Sequence, residues 1–149
     1  MRFLIPMLCA LPFVAACASG PSKADLDDEV RRLCAIDGGV KVYETVRLPA
    51  EKFNQWGQVN FYRPTQKENA LGPDYIYKGG LEYYRKGNPA LVRWHFAVHR
   101  KSDGKLLGEA ISYGRGGGDL PGPWEPSSFD CPAGVGDQLL LKNVFVLTK

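Results

Sequence analysis

The chain has 149 residues, 44% of them hydrophobic and 23% charged, a balance that fits one globular domain and excludes a disordered or fibrous protein. Its 19 basic and 16 acidic residues give a formal charge of +3 and a pI near 8.7, too weak an excess for a nucleic-acid surface, which needs concentrated basic patches. Glycine (17) and proline (11), with 11% aromatic residues, favour strands joined by tight turns over a helix bundle.

Met1 and Arg2 precede an apolar run from Phe3 to Ala16 that contains Pro6 and Pro12 and ends in small residues. That is the pattern of a secretory signal peptide, too short to span a membrane. Val14-Ala15-Ala16-Cys17 resembles the lipobox of bacterial lipoproteins, which implies cleavage after Ala16 and lipidation of Cys17. Two or more acyl chains hold a protein stably on a bilayer. In such lipoproteins an Asp after the cysteine signals inner-membrane retention; Ala18 stands here, which implies the periplasmic face of the outer membrane. The alternative takes Ala16-Cys17-Ala18 as an ordinary small-x-small cleavage site and releases a soluble chain from Ser19.

On the lipobox reading Cys9 leaves with the signal peptide and Cys17 carries lipid, so Cys34 and Cys131 remain as an even pair in an oxidising compartment. They are expected to form a disulfide, contributing at most about 4 to 5 kcal/mol in the chain-entropy picture. No Cys-x-x-Cys and no cationic cluster beside either cysteine supports reactive or metal-binding thiols.

Residues 17–24 read as a small, polar tether with Gly20 and Pro21. Leu26, Val30, Leu33 and Cys34 then recur on one face of a 3.6-residue period, predicting an amphipathic helix over Asp25 to Ile36 with Gly38-Gly39 as its stop. Asp25, Asp27, Asp28 and Glu29 crowd its first turns, where acidic residues complement the helix dipole, so capping explains them better than a metal site.

Val40 to Leu48 is rich in β-branched residues and reads as one strand closed by Pro49; Ala50 to Trp56 reads as a short helical turn, Val59 to Tyr62 as a short strand, and Gln66 to Pro73 as a loop. Tyr75 to Tyr84 fits either one long strand or a hairpin turning at Gly79-Gly80. From Leu91 to Tyr113, two strand-like runs flank Asp103-Gly104, a hairpin signal. Val92, Trp94, Phe96 and Val98 alternate with Arg93, His95, Ala97 and His99, so the first four are expected to be buried and the others wet. A two-residue loop sets Trp94 opposite Tyr113 and turns Glu109 inward, whereas a three-residue loop with Gly104 left-handed shifts the pairing by one and puts Glu109 beside His95 and His99. Both registers stay open. Gly114 to Asp119 is a glycine-rich loop leading to a proline-rich stretch, and Leu139 to Leu147 reads as a closing strand.

These elements predict an α+β fold: one domain over residues 25–149, with an N-terminal amphipathic helix packed on an antiparallel sheet of about five or six strands and one disulfide.

The candidate binding residues are Arg93, His95 and His99 on the wet strand face, and Arg115, Asp119 and Trp124 in the glycine- and proline-rich stretch. His95 and His99 stand about 13 Å apart on a strand, beyond joint coordination of one ion, so no metal site is expected. Ile111-Ser112-Tyr113-Gly114 misses the nucleophile elbow, because no helix follows Ser112. The Gly114 to Asp119 loop lacks the Lys-Ser/Thr ending of a P-loop, and no cofactor is implied. Tyr75, Tyr77, Tyr83 and Tyr84 with Trp56 and Trp124 read either as an aromatic platform for a partner or as ordinary sheet residues.

The stretches Cys34-Ala35-Ile36-Asp37-Gly38-Gly39-Val40-Lys41-Val42-Tyr43-Glu44-Thr45-Val46 and Gly117-Gly118-Asp119-Leu120-Pro121-Gly122-Pro123-Trp124-Glu125-Pro126-Ser127-Ser128-Phe129-Asp130-Cys131-Pro132 resemble a family of small lipoproteins of Gram-negative bacteria. The resemblance implies a location and a fold, and brings no activity, cofactor or catalytic residue. The leading expectation is a lipid-anchored, non-enzymatic binding or structural module of the cell envelope, facing a periplasmic protein or peptidoglycan and no nucleic acid. The alternatives are a small-ligand carrier, and an envelope hydrolase using His95 or His99 with Glu109 or Asp119.

Overall fold

A computed structural model of the chain describes residues 20–149; the expected signal peptide and Cys17 lie outside the described residues. The fold is mixed helix and sheet. Helix α1 (Lys23–Asp37) starts at a reciprocal capping box: the Ser22 hydroxyl accepts from the Asp25 amide while the Asp25 carboxylate accepts from the Ser22 amide. Lys23 and Ala24, the last residues of the expected tether, belong to its first turn.

Five strands form the main antiparallel sheet: β1 (Gly39–Val42), β3 (Tyr75–Arg85), β4 (Ala90–Arg100), β5 (Leu106–Gly116) and β6 (Ser128–Cys131). Their order is β1-β5-β4-β3, and β6 pairs with β5 further along the strand that β1 also uses. Tyr75 to Arg85 is one continuous strand, so Gly79-Gly80 makes no turn. A second, parallel pair joins β2 (Val46–Leu48) to β7 (Phe145–Leu147).

The stretch expected as one strand from Val40 to Leu48 therefore splits between two sheets. The break has a local cause: the amides of Tyr43 and Glu44 both donate to the Leu107 carbonyl, which turns the chain out of the ladder. The stretch from Leu139 is also corrected. It folds as helix α2 (Asp137–Val144) and only Phe145–Leu147 is extended, because Leu140, Leu141 and Val144 form a helical stripe that fills the core. Val59 contributes a single bridge to Phe53 where a short strand was expected, and 3-10 turns occupy Ala50–Lys52 and Pro64–Asn69.

The β4–β5 hairpin settles the register. Arg100 and Lys105 close a loop in which Gly104 is left-handed (φ 70°), and an irregularity follows between Val98 and His99. Beyond it Trp94 lies opposite Ser112, Phe96 opposite Ala110 and Ala97 opposite Glu109. Glu109 thus shares a face with His95 and His99.

The sheet buries its two faces unequally. One carries the main core, where Tyr77, Val98, Leu107 and Ala110 meet Leu71, Leu140, Leu141, Val144 and Phe145. Glycine at 108 is a packing requirement: a Cβ there would stand 2.7 Å from Val144 Cγ2 and 3.0 Å from the Lys41 carbonyl. On the other face α1 covers one end only, setting Val30 against Leu91, Ile111 and Tyr113. There the Cys34–Cys131 disulfide staples α1 to β6 across 97 positions, with Cα atoms 5.8 Å apart. Among the described residues no helix lies over the rest of that face.

Candidate functional site

Alternation along β4 brings Arg93, His95 and His99 onto the half-open face, and the neighbouring strands complete the surface. Opposite these residues β3 places Glu82, Gly80 and Ile76, while β5 places Tyr113 opposite Arg93, Ile111 opposite His95 and Glu109 opposite Ala97; on β1, Lys41 stands opposite Glu109.

Glu109 is the hub. One of its oxygens accepts from the Tyr43 hydroxyl at 2.6 Å and the other meets His95 Nε2 at 2.8 Å. The Tyr43 hydrogen bond, and after it the contacts with His95 and Lys41, hold its carboxyl below the usual glutamate range against the opposing effect of burial. The same bond raises the Tyr43 phenol. A carboxylate only accepts, so His95 carries a proton on Nε2. This imidazole is oriented by a carboxylate and reachable from solvent, its side chain being 38% exposed.

Beside it, Tyr113 donates to Asp37 at 2.7 Å and accepts from Arg93 Nε at 3.2 Å; burial first, and then the bond to Asp37, push its phenol up to about 12. Arg93 also lies 3.6 Å from Asp37, so the end of α1 and β4 are joined through one phenol. His99 sits at the far end of the row. Burial, followed by the Lys78 charge, lowers its pKa, and its buried Nδ1 has no hydrogen-bond partner among the described residues. An open groove of about 740 Å³ runs past Arg93 and His95 to β3 at Tyr77–Glu82, bounded by Pro64, Lys67 and Glu68.

Arg115 and Asp119 are placed elsewhere. Arg115 is buried beneath α1, where it binds Asp27 and donates to the Gly117 and Ser127 carbonyls and the Ser127 hydroxyl. Asp119 accepts from Lys23 and from the Ser127 amide and hydroxyl; the Lys23 bond first, then those from Ser127, lower its pKa to about 2. Both side chains fix α1 to the 117–127 loop. Trp124 is exposed on that loop, beside a hollow of about 210 Å³ lined in part by Asn88 and Asp119. The six candidates therefore fall into two groups, Arg93, His95 and His99 on the sheet and Arg115, Asp119 and Trp124 around the loop.

The aromatic residues form no single platform either: Tyr77 is in the core, Tyr75 packs edge-on to Phe145, and Tyr83, Tyr84, Trp56 and Trp124 are exposed. Ser112 is buried opposite Trp94 on the α2 face, across the sheet from His95. Among the described residues no group of three or more His, Cys, Asp or Glu is arranged to hold a metal ion, and no helix is long and apolar enough to cross a membrane.

Sequence reasoning did not reach Tyr43 or Lys78. Both depend on strand pairing: Tyr43 meets Glu109 because β1 joins β5, 66 positions away, and Lys78 joins the face because β3 runs unbroken beside β4. Comparison of the chain with family models, curated proteins and solved structures finds no match.

Proposed function

We propose that the chain is a lipid-anchored, non-enzymatic binding module of the cell envelope, held at the periplasmic face of the outer membrane through Cys17. It presents the half-open sheet face around Arg93, His95 and Glu109 to a protein or glycan partner. The lipobox-like Val14–Cys17 stretch supports the anchor. The observation that carries the binding reading is the engagement of Glu109: Tyr43 and His95 each hold one of its oxygens, so the carboxylate organises donors and acceptors on a rigid sheet. Tyr43, Arg93 and His95 offer the mix of apolar area and polar handles that suits a peptide or sugar surface.

A second reading rests on His95 alone. An imidazole oriented by a carboxylate is the arrangement of a general base, and a hydrolase would use Nδ1 to activate water. Among the described residues no hydroxyl or thiol is hydrogen-bonded to His95, which favours binding over nucleophilic catalysis.

Two measurements test the proposal. Intact mass of the full chain from its native membrane is expected to show acylated Cys17; an unacylated chain starting near Ser19 overturns the anchor. A photo-reactive residue at exposed position 41, beside Glu109, is expected to give a discrete adduct in intact cells that disappears in Arg93→Ala/His95→Ala. An adduct that survives the double substitution, or none at all, overturns the binding face.

A further inference from the structure

We propose that β3 pairs edge to edge with β3 of a second copy of this chain, antiparallel about a two-fold axis at Gly80, joining two main sheets into one. Strand β3 ends the order β1-β5-β4-β3, so among the described residues its outer edge carries backbone groups with no strand beside them. It is 11 residues long, and all positions from Lys78 to Tyr84 are exposed. Leu81, Tyr83 and Tyr84 stand 48%, 50% and 46% open to solvent, a costly apolar display for an unpaired edge. The groove bounded by Pro64, Lys67 and Glu68 leaves space along residues 77–82.

The strand's own sequence selects the occupant. With Gly80 facing its copy, Lys78 falls opposite Glu82 of the second chain and Glu82 opposite its Lys78, giving two cross-strand ion pairs by symmetry. On the other face Tyr77 falls opposite Tyr83, and Leu81 falls opposite Gly79, over which the Tyr77 and Phe96 rings already pack. Slipping the register by two residues sets Glu82 opposite Gly80 or Ile76 and breaks both ion pairs. Among the described residues Lys78 and Glu82 form no ion pair within the chain, so both charges are free to meet a partner. A lone lysine on an edge guards against pairing, but a lysine and a glutamate equidistant from a two-fold axis specify it.

Cysteine cross-linking of the full chain in its membrane reads the register. A Cβ at Gly80 meets no atom within 4 Å and the residue is not left-handed, so Gly80→Cys is accommodated. On the axis its Cα would lie about 4.5 to 5.5 Å from its copy, within disulfide reach. Gly80→Cys is expected to run as a disulfide-linked dimer on non-reducing gels. Lys78→Cys alone is expected to stay unlinked, and co-expressed Lys78→Cys and Glu82→Cys chains to link. In sedimentation of the detergent-extracted chain, Lys78→Glu is expected to weaken the dimer by about tenfold, and Lys78→Glu/Glu82→Lys to restore it. Unlinked Gly80→Cys chains, equal linking at 78 and 80, a Gly80→Cys adduct to a different protein, or a charge swap that fails to restore the dimer each overturns the pairing.

Discussion

Arg115 and Asp27, 88 positions apart in the chain, meet at 2.7 Å beneath the first turns of α1. Arg115 is 3% exposed, and the remaining guanidinium contacts go to Gly117 and Ser127. A buried guanidinium whose carboxylate is removed keeps its desolvation cost and loses its main compensation. Asp27→Ala is therefore expected to destabilise the fold by about 3 kcal/mol, whereas Asp27→Ala/Arg115→Met costs less than the two single changes summed. Urea midpoints of the four proteins check this, and strict additivity would show that the pair acts independently.

The Cys34–Cys131 bridge joins α1 to β6 at the end of the sheet where the smaller core lies. Reduction frees a 97-position loop in the unfolded chain and loosens α1 from Phe129 and Tyr113. Cys34→Ser/Cys131→Ser is expected to lose up to about 4 kcal/mol, with the loss greatest for α1. Amide exchange resolved by segment tests it: protection in α1 falls first, while the core between β4, β5 and α2 keeps most of its own.

Glu109 links the pH dependence of stability to the candidate face. Its folded pKa lies below the ordinary 4.5, so the unfolded chain takes up this proton first as the solution becomes acidic. The stabilisation it provides is complete above pH 4.5 and is lost as pH falls through the folded value. Tyr43→Phe removes the largest cause of the lowering. Its stability deficit relative to the parent chain is expected to be constant from pH 4.5 to neutrality and to shrink below pH 4.5. Thermal unfolding across the acid range measures this, and a deficit independent of pH would separate Tyr43 from Glu109.

His99 carries the opposite charge type and the same sign. Burial lowers its folded pKa below 6.5, so the unfolded chain binds a proton that the fold resists, and stability declines as pH falls from 6.5. His99→Leu removes that decline. Well above pH 6.5 it is expected to gain about 1 kcal/mol by eliminating the unpartnered Nδ1, with a larger gain in mild acid. A gain that does not grow on acidification would contradict the assignment.

How much of this was legible in the sequence depends on the range of the contacts involved. The antiparallel sheet and the Cys34–Cys131 pair follow from local alternation, the Asp103-Gly104 turn and the cysteine count. The position of Glu109 does not, because it turns on the irregularity between Val98 and His99, a one-residue event that exchanges the two faces of β5. Residues 40–48 read as one strand because their composition is uniform, while the break at Tyr43 is imposed by a carbonyl more than sixty positions away. At residues 139–147 an apolar run suits helix and strand alike; Asp137 at the start and Lys142 near the end were the available helical signals. Arg115 and Asp119 drew notice through their charge, and charge alone does not separate a buried fastening from an open site.

The parallel pair of β2 with β7 has a kinetic meaning. Residues 46–48 find their partner about a hundred positions later, and Phe145 supplies the centre of the main core from that same late segment. Closing so wide a loop costs entropy before any contact repays it. The β4–β5 hairpin can nucleate by itself, but its apolar face stays uncovered until residues 137–147 arrive. Tightly cooperative folding, with one late and slow assembly step, is the built-in outcome of letting a three-residue strand bolt the first third of the domain to its last.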